Sequence, residues 1–126
     1  MAIKYFMDYI RENLEKYNAM VEKLMYDLEE KYPVTLFLHY NKFAKTIILS
    51  QIIIDKNERG KGIGSKVLQE ICDFADENGL PIGLTPSSDF GGNVQRLKKF
   101  YKHFGFVKYK GYRFRETLIR EPEENL

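Results

Sequence analysis

Apolar residues in the first thirty positions recur at Ile3, Phe6, Ile10, Leu14, Tyr17, Val21, Leu24 and Leu28. Spacings of three and four put them on one face of a helix. Asn18 leaves open whether this is one helix or two. Pro33 disfavours helical backbone in the residue before it, so the helix is expected to stop near Tyr32. Residues 34–40, VTLFLHY, are strand formers, and Asn41-Lys42 offers a turn. Residues 46–55, TIILSQIIID, are almost continuously apolar, the pattern of a central strand buried on both faces. A short turn between these two runs makes them an antiparallel hairpin.

Three glycines follow, Gly60, Gly62 and Gly64. Ile63, Val67, Ile71, Phe74 and Ala75 then lie along a second helical face, which Asn78-Gly79 and Pro81 bring to an end. Residues 82–85, IGLT, read as a short strand. A helix connects it to the isoleucine-rich strand, so the two are expected to run parallel. Residues 86–93 have loop composition. Residues 94–104 form a further amphipathic helix on Leu97, Phe100, Tyr101 and Phe104, and Gly105 ends it. Residues 106–120 read as two strands hinged near Lys110-Gly111. The chain is thus expected to be an α/β domain with one mixed sheet flanked by helices and a single parallel crossover. Residues 1–126 are taken as one domain, with a helical segment at 1–32, the core at 33–120 and an acidic tail at 121–126.

Composition narrows the class. The 126 residues, 44% hydrophobic and 30% charged, suit one water-soluble domain with a substantial core. No apolar run reaches the roughly 18 residues a bilayer span needs. The N-terminal residues carry acids and do not form a signal peptide, so no membrane association and a cytoplasmic location are expected. The single cysteine, Cys72, excludes an internal disulfide and a multi-cysteine metal site, and two distant histidines offer no metal centre either. Cys72 falls among Ile71 and Ala75, where a packed thiol is the expectation. The net charge of +2 hides a stretch from residue 96 to 115 with eight Lys or Arg and no acid. Such a local excess points to one anionic ligand region rather than a nucleic-acid-coating surface; a solvated helix face with lysine-protected strand edges explains it equally.

The glycines carry the candidate chemistry. The first N–H groups of a helix lack intrahelical partners, and the helix dipole adds positive charge there. Glycine keeps side chains out of the way and permits the positive φ angles that aim successive N–H groups at one anion. Residues 60–65 are therefore suited to a phosphate or pyrophosphate, with Arg59 and Lys61 adding attraction. A plain tight turn is the competing reading. The sequence lacks the G-x-x-x-x-G-K-[ST] phosphate loop, and its G-x-G-x-G departs from the G-x-G-x-x-G dinucleotide pattern.

Arg59-Gly60-Lys61-Gly62-Ile63-Gly64 does match Arg/Gln-x-x-Gly-x-Gly/Ala. Between an apolar strand and an amphipathic helix, it resembles the coenzyme A pyrophosphate loop of the GCN5-related N-acetyltransferases, the GNAT family. LKKFYKHFGF, residues 97–106, resembles that family's late helix and the strand after it, and the likeness covers residues 34–120. The resemblance implies an N-acetyltransferase that passes an acetyl group from acetyl-CoA directly to an amine, small or peptidic. It implies pyrophosphate at Arg59, Gly60, Lys61, Gly62, Ile63, Gly64 and Ser65, and the pantetheine arm along the main chain of Ile52, Ile53 and Ile54. Tyr101 corresponds to the family's general acid; the alternative for it is a core aromatic. Asn93 resembles a cofactor-contacting asparagine but stands eight residues before Tyr101 where seven is usual, and a helix N-cap is its other reading. The general base stays open among Asp55, Glu58, Asp89 and His39, and the amine is expected near Asp55, Thr85 and the 86–92 loop. A non-catalytic module of the same fold, docking an anionic protein or nucleic acid on its basic second half, is the alternative. The first helices and the final hairpin are candidate surfaces for a homodimer.

Overall fold

The computed structural model describes residues 2–86, 93–112 and 115–123. The apolar stripe of the first thirty residues forms one helix, α1 (Ala2–Lys31), and Asn18 does not divide it. A single asparagine costs a helix only a few tenths of a kcal/mol, about 0.7 at most, and packing of the stripe outweighs that. The helix stops where Pro33 requires, with the N–H of Tyr32 still reaching the Leu28 carbonyl at 2.9 Å. α1 packs on β1 (Val34–Asn41), whose even-numbered side chains are buried while Thr35, Phe37 and His39 are exposed. Val21 and Leu28 of α1 reach the core, with Tyr17, Leu24 and Met25 packed at its edge.

β1 runs antiparallel to β2 (Thr46–Ile54), and β2 runs parallel to β3 (Ile82–Leu84), as their connections required. β5 (Leu118–Arg120) lies beside β3 and β4 (Val107–Lys108) beside β5, giving a five-stranded mixed sheet in the order β1-β2-β3-β5-β4. β2 is an inner strand, but its burial is not uniform. Residues 46–49 are buried on both faces; residues 51–54 are only half covered. The crossover from β2 to β3 is α2 (Ile63–Asn78), which buries Val67, Leu68, Ile71, Cys72 and Ala75. Gly79 ends it in the left-handed conformation, φ 64°, and its N–H caps the carbonyls of Ala75 and Asp76. α3 (Val94–His103) completes the set.

The last hairpin is much shorter than its sequence suggests. Among the described residues, only Val107–Lys108 and Leu118–Arg120 pair, with one further bond from the Tyr109 N–H to the Thr117 carbonyl at 2.9 Å. Tyr109 explains the early end. It packs with Ala44 and Ile119, and its ring folds over the backbone of Gly111, where any Cβ would collide with it. Two polar ties brace the helices. The Tyr32 hydroxyl donates to Glu70 at 2.5 Å beside a Lys31–Glu70 ion pair at 3.0 Å, joining α1 to α2. Arg120 grips Asp76, joining β5 to α2.

Candidate functional site

The site begins where β2 and β3 part. Their parallel ladder covers only Ile47–Leu49 against Ile82–Leu84, while β1 follows β2 as far as Ile54. A bulge makes the break. Leu38 pairs with Leu49 and Phe37 with Gln51, so Ser50 is the extra residue. The Ser50-Gln51 pair is also the polar interruption of an otherwise apolar run.

Backbone direction along the freed stretch follows from two bonds. The Leu36 N–H turns outward from the sheet to Glu29 Oε2 at 3.1 Å. The Asp55 N–H turns to the Pro33 carbonyl, on the β1 side, at 3.0 Å. Successive residues of an antiparallel strand point their N–H and C=O to alternate sides. Ile52, opposite Leu36, and Ile54 therefore face away from β1, toward the side β3 has left. Ile53, opposite Thr35, faces β1. Of the three isoleucines expected along the cofactor, two have their backbone on this edge. The Ile54 carbonyl already accepts the Arg59 Nε at 3.3 Å, which folds that side chain back onto the strand end.

After a single 3₁₀ turn (Lys56–Glu58), the chain enters the glycine segment. Gly60 and Gly62 adopt φ of 82° and 77°. This left-handed backbone is costly for any residue with a Cβ. A Cβ on either would meet no atom within 4 Å, so the glycines serve conformation, and the space around them is open. Gly62 is the N-cap of α2 and has no side chain with which to cap it. The first intrahelical bond runs from the Lys66 N–H to the Gly62 carbonyl at 3.2 Å, so helix geometry leaves the N–H groups of Ile63, Gly64 and Ser65 without an intrahelical acceptor. Lys61 Nζ binds Glu58 at 2.8 Å in an exposed pair, which a stronger anion can displace at little cost.

α3 shows the contrast. Asn93 Oδ1 accepts from the N–H groups of Gln95 at 2.8 Å and Arg96 at 3.3 Å, so this side chain acts as a helix cap. Phe100 of α3 packs toward the mouth of α2, its Cζ 3.8 Å from the place a Cβ on Gly64 would occupy. The next residue, Tyr101, is 6% exposed. Its ring stands edge-on to Phe100 and Phe106 at 5.3 and 5.5 Å, and burial pushes the phenol's pKa up, holding it protonated.

The four candidate bases fall in different places. Asp55 is exposed at the end of β2. Glu58 is paired with Lys61. His39 lines an open cavity of about 450 Å³ at the bulge with Met25, Phe37, Leu38, Ser50 and Gln51. Asp89 lies outside the described residues, as does most of the 86–92 loop. Thr85 is exposed, its hydroxyl accepting the Thr117 N–H at 3.3 Å. Among the described residues no three His, Cys, Asp or Glu side chains gather as metal ligands, and no helix is long and apolar enough to cross a membrane.

The parted strands, the glycine turn and the uncapped helix define a class of fold, and comparison with known families agrees. The acetyltransferase (GNAT) domain model matches residues 22–108, and the chain belongs to that family. Among solved structures, the anti-CRISPR protein AcrVA5 is similar in fold, with a TM-score of 0.55 and 20% identity over 69% of this chain and 88% of that one. A search of curated proteins gave no match.

Proposed function

We propose that this protein is an acetyl-CoA-dependent N-acetyltransferase. The supporting observation is the meeting of two sets of backbone groups with no partner among the described residues, Ile52 and the Ile54 N–H on the open edge of β2 and the N–H groups of residues 63–65 in the mouth of α2. An extended, amide-bearing arm ending in a diphosphate is complementary to both. The N–H groups of Ile63, Gly64 and Ser65 would hold the diphosphate, with Gly60 and Gly62 keeping side chains away and Lys61 released from Glu58. Ile52, with the Ile54 N–H, would pair the amides of the arm as an added strand does. Arg59 would brace the end of β2 through the Ile54 carbonyl, and Asn93 would fix the start of α3.

Acetyl-CoA supplies a thioester, an activated acyl group that an amine can attack directly. The protein's share is to position the two reactants, which contributes up to about 7–11 kcal/mol of barrier reduction, and to move protons. Tyr101, kept neutral by burial, would give its proton or a hydrogen bond to the departing sulfur. The amine would lie at the parting of the strands, near Asp55, Thr85 and the bulge. His39, in the cavity beside Ser50, would take the amine's proton. The domain is read as single over residues 1–126.

Thiol release from acetyl-CoA across a panel of amines, read with a colorimetric thiol reagent, tests the assignment. Tyr101→Phe should slow release about 10²- to 10⁴-fold with little change in CoA affinity. No thiol release with any amine, together with no CoA binding at millimolar concentration, would reject it. One observation favours a second reading. Arg96, Lys98, Lys99 and Lys102 are all exposed on α3. Nucleic-acid binding that weakens steeply with salt, without thiol release, would support a non-catalytic module instead.

A further inference from the structure

Seen along its whole length, α1 carries a stricter pattern than an amphipathic face. Ile3, Met7, Ile10, Leu14, Tyr17, Val21, Leu24 and Leu28 alternate at spacings of four and three without a break. That is the apolar repeat of a coiled-coil seam sustained over the helix. The second half of the seam is used inside the domain, where Val21 and Leu28 are fully buried and Tyr17 and Leu24 pack on the same core. The first half repeats the same face, yet Ile3 and Met7 are 79% and 53% exposed, and Phe6 beside them 63%. This half also precedes residue 22, where the family match begins.

Charge and topology narrow what can cover it. Lys4, Arg11 and Lys16 balance Asp8, Glu12 and Glu15, so this segment has no net charge to draw an anionic bilayer or nucleic acid. The regular spacing of its apolar residues suits a facing helix. Direction follows from the body of the domain. Beyond residue 17 the seam lies against the chain's own core. A parallel partner helix would run into that body, and an antiparallel one must end before it. A second copy of the same segment meets both conditions. With Met7 facing Ile10 of the second copy, Ile3 comes level with position 14, and the other helix begins near the level of residue 15. The same register sets Lys4 level with the stretch holding Glu12 and Glu15 of the second copy, and the contact is closed by a two-fold axis.

We propose that the chain dimerises through residues 3–14 of α1, packed antiparallel against the same segment of a second copy. Fewer than two heptads form a small interface, so the dimer is concentration-dependent. Sedimentation equilibrium from about 1 to about 200 µM should show the mass rising from 14.9 kDa toward twice that value. Met7→Glu with Ile10→Glu should weaken association at least tenfold and leave the circular-dichroism melt of the dilute, monomeric chain unchanged, because neither side chain belongs to the core cluster. A wild-type chain monomeric at about 200 µM, or a variant that dimerises as well as wild type, would overturn the proposal. Register is read by mixing Met7→Cys and Ile10→Cys chains and oxidising them; Cys72 is buried and stays out of the reaction. The mixed disulfide should predominate, and predominance of like-with-like disulfides would overturn the antiparallel pairing. Binding of a monomeric chain to phosphatidylcholine–phosphatidylserine vesicles would overturn it in favour of a lipid surface.

Discussion

Arg120 and Asp76 face each other as a two-bond pair, Nη1 to Oδ1 at 2.7 Å and Nη2 to Oδ2 at 3.0 Å. Their side chains are 6% and 15% exposed. Two further bonds join the pair to its surroundings. Arg120 Nε donates to the Phe104 carbonyl at 2.8 Å, at the end of α3, and Asp76 Oδ1 also accepts the Glu123 N–H at 2.9 Å. One ion pair thus ties α2, the end of α3, β5 and the C-terminal segment together behind the candidate site. Arg120→Ala would leave Asp76 without its counter-charge in a largely dry place. Denaturant unfolding should show a loss of about 3–5 kcal/mol, far more than the Lys23–Asp27 pair on the exposed face of α1 could contribute.

The same pair gives stability a pH dependence. The Arg120 guanidinium lowers the pKa of Asp76 in the folded protein, with the Glu123 N–H acting in the same direction and desolvation opposing both. The unfolded carboxyl has its ordinary pKa of about 3.9. Asp76 therefore contributes its full stabilisation above that value and loses it as the pH falls through the lower folded pKa. Melts between about pH 6 and pH 2 should drop more steeply for wild type than for Asp76→Asn in this acid window. Parallel curves would remove Asp76 as the source.

Two glycines of the turn should answer substitution differently. Gly62 sits at φ 77° with nothing near its missing Cβ. Gly62→Ala is expected to cost about 1–2 kcal/mol through backbone strain alone and to distort the mouth of α2. Gly64 has ordinary backbone, and an added methyl meets Phe100 at a comfortable 3.8 Å. Gly64→Ala should keep or slightly raise thermal stability, since alanine suits a helix better by about 1 kcal/mol. Equal melting temperatures for the two variants would contradict this reading of the turn.

Cys72 is expected to be inert in the native state. Burial pushes its thiol up to about 11, with Arg120 pulling the other way and nearby carboxylates reinforcing the rise, so almost no thiolate exists at neutral pH. A colorimetric disulfide reagent should label it only at the rate of unfolding, and at once in denaturant. Fast native labelling would show that the α2 face opens.

Much of this architecture was legible because local signals and packing agreed. The parallel crossover followed from a helix between two strands, and the Asn78-Gly79 stop appears as a left-handed cap at Gly79. What escaped were features set by tertiary contact. Asn18 offered a break that the packed stripe of α1 overrode. Ser50-Gln51 hinted at a polar interruption, but a bulge depends on register with β1 and is not written in one strand alone. The basic run after residue 107 had strand composition, yet Tyr109 folding over Gly111 ended the ladder. Arg59 carried a positive charge suited to an anion, but its side chain is held by the Ile54 carbonyl in this structure. Glycine chemistry was the most readable part of the site, because positive φ and open space are properties that the residue type itself supplies.

The most direct measurement is an amide NMR titration of labelled protein with coenzyme A. The expected result is saturable shifts concentrated at residues 60–65 and at Ile52 and Ile54, abolished or weakened at least tenfold by Gly62→Ala. Shifts confined to the basic face of α3, or none at millimolar ligand, would contradict the placement of the diphosphate in the mouth of α2.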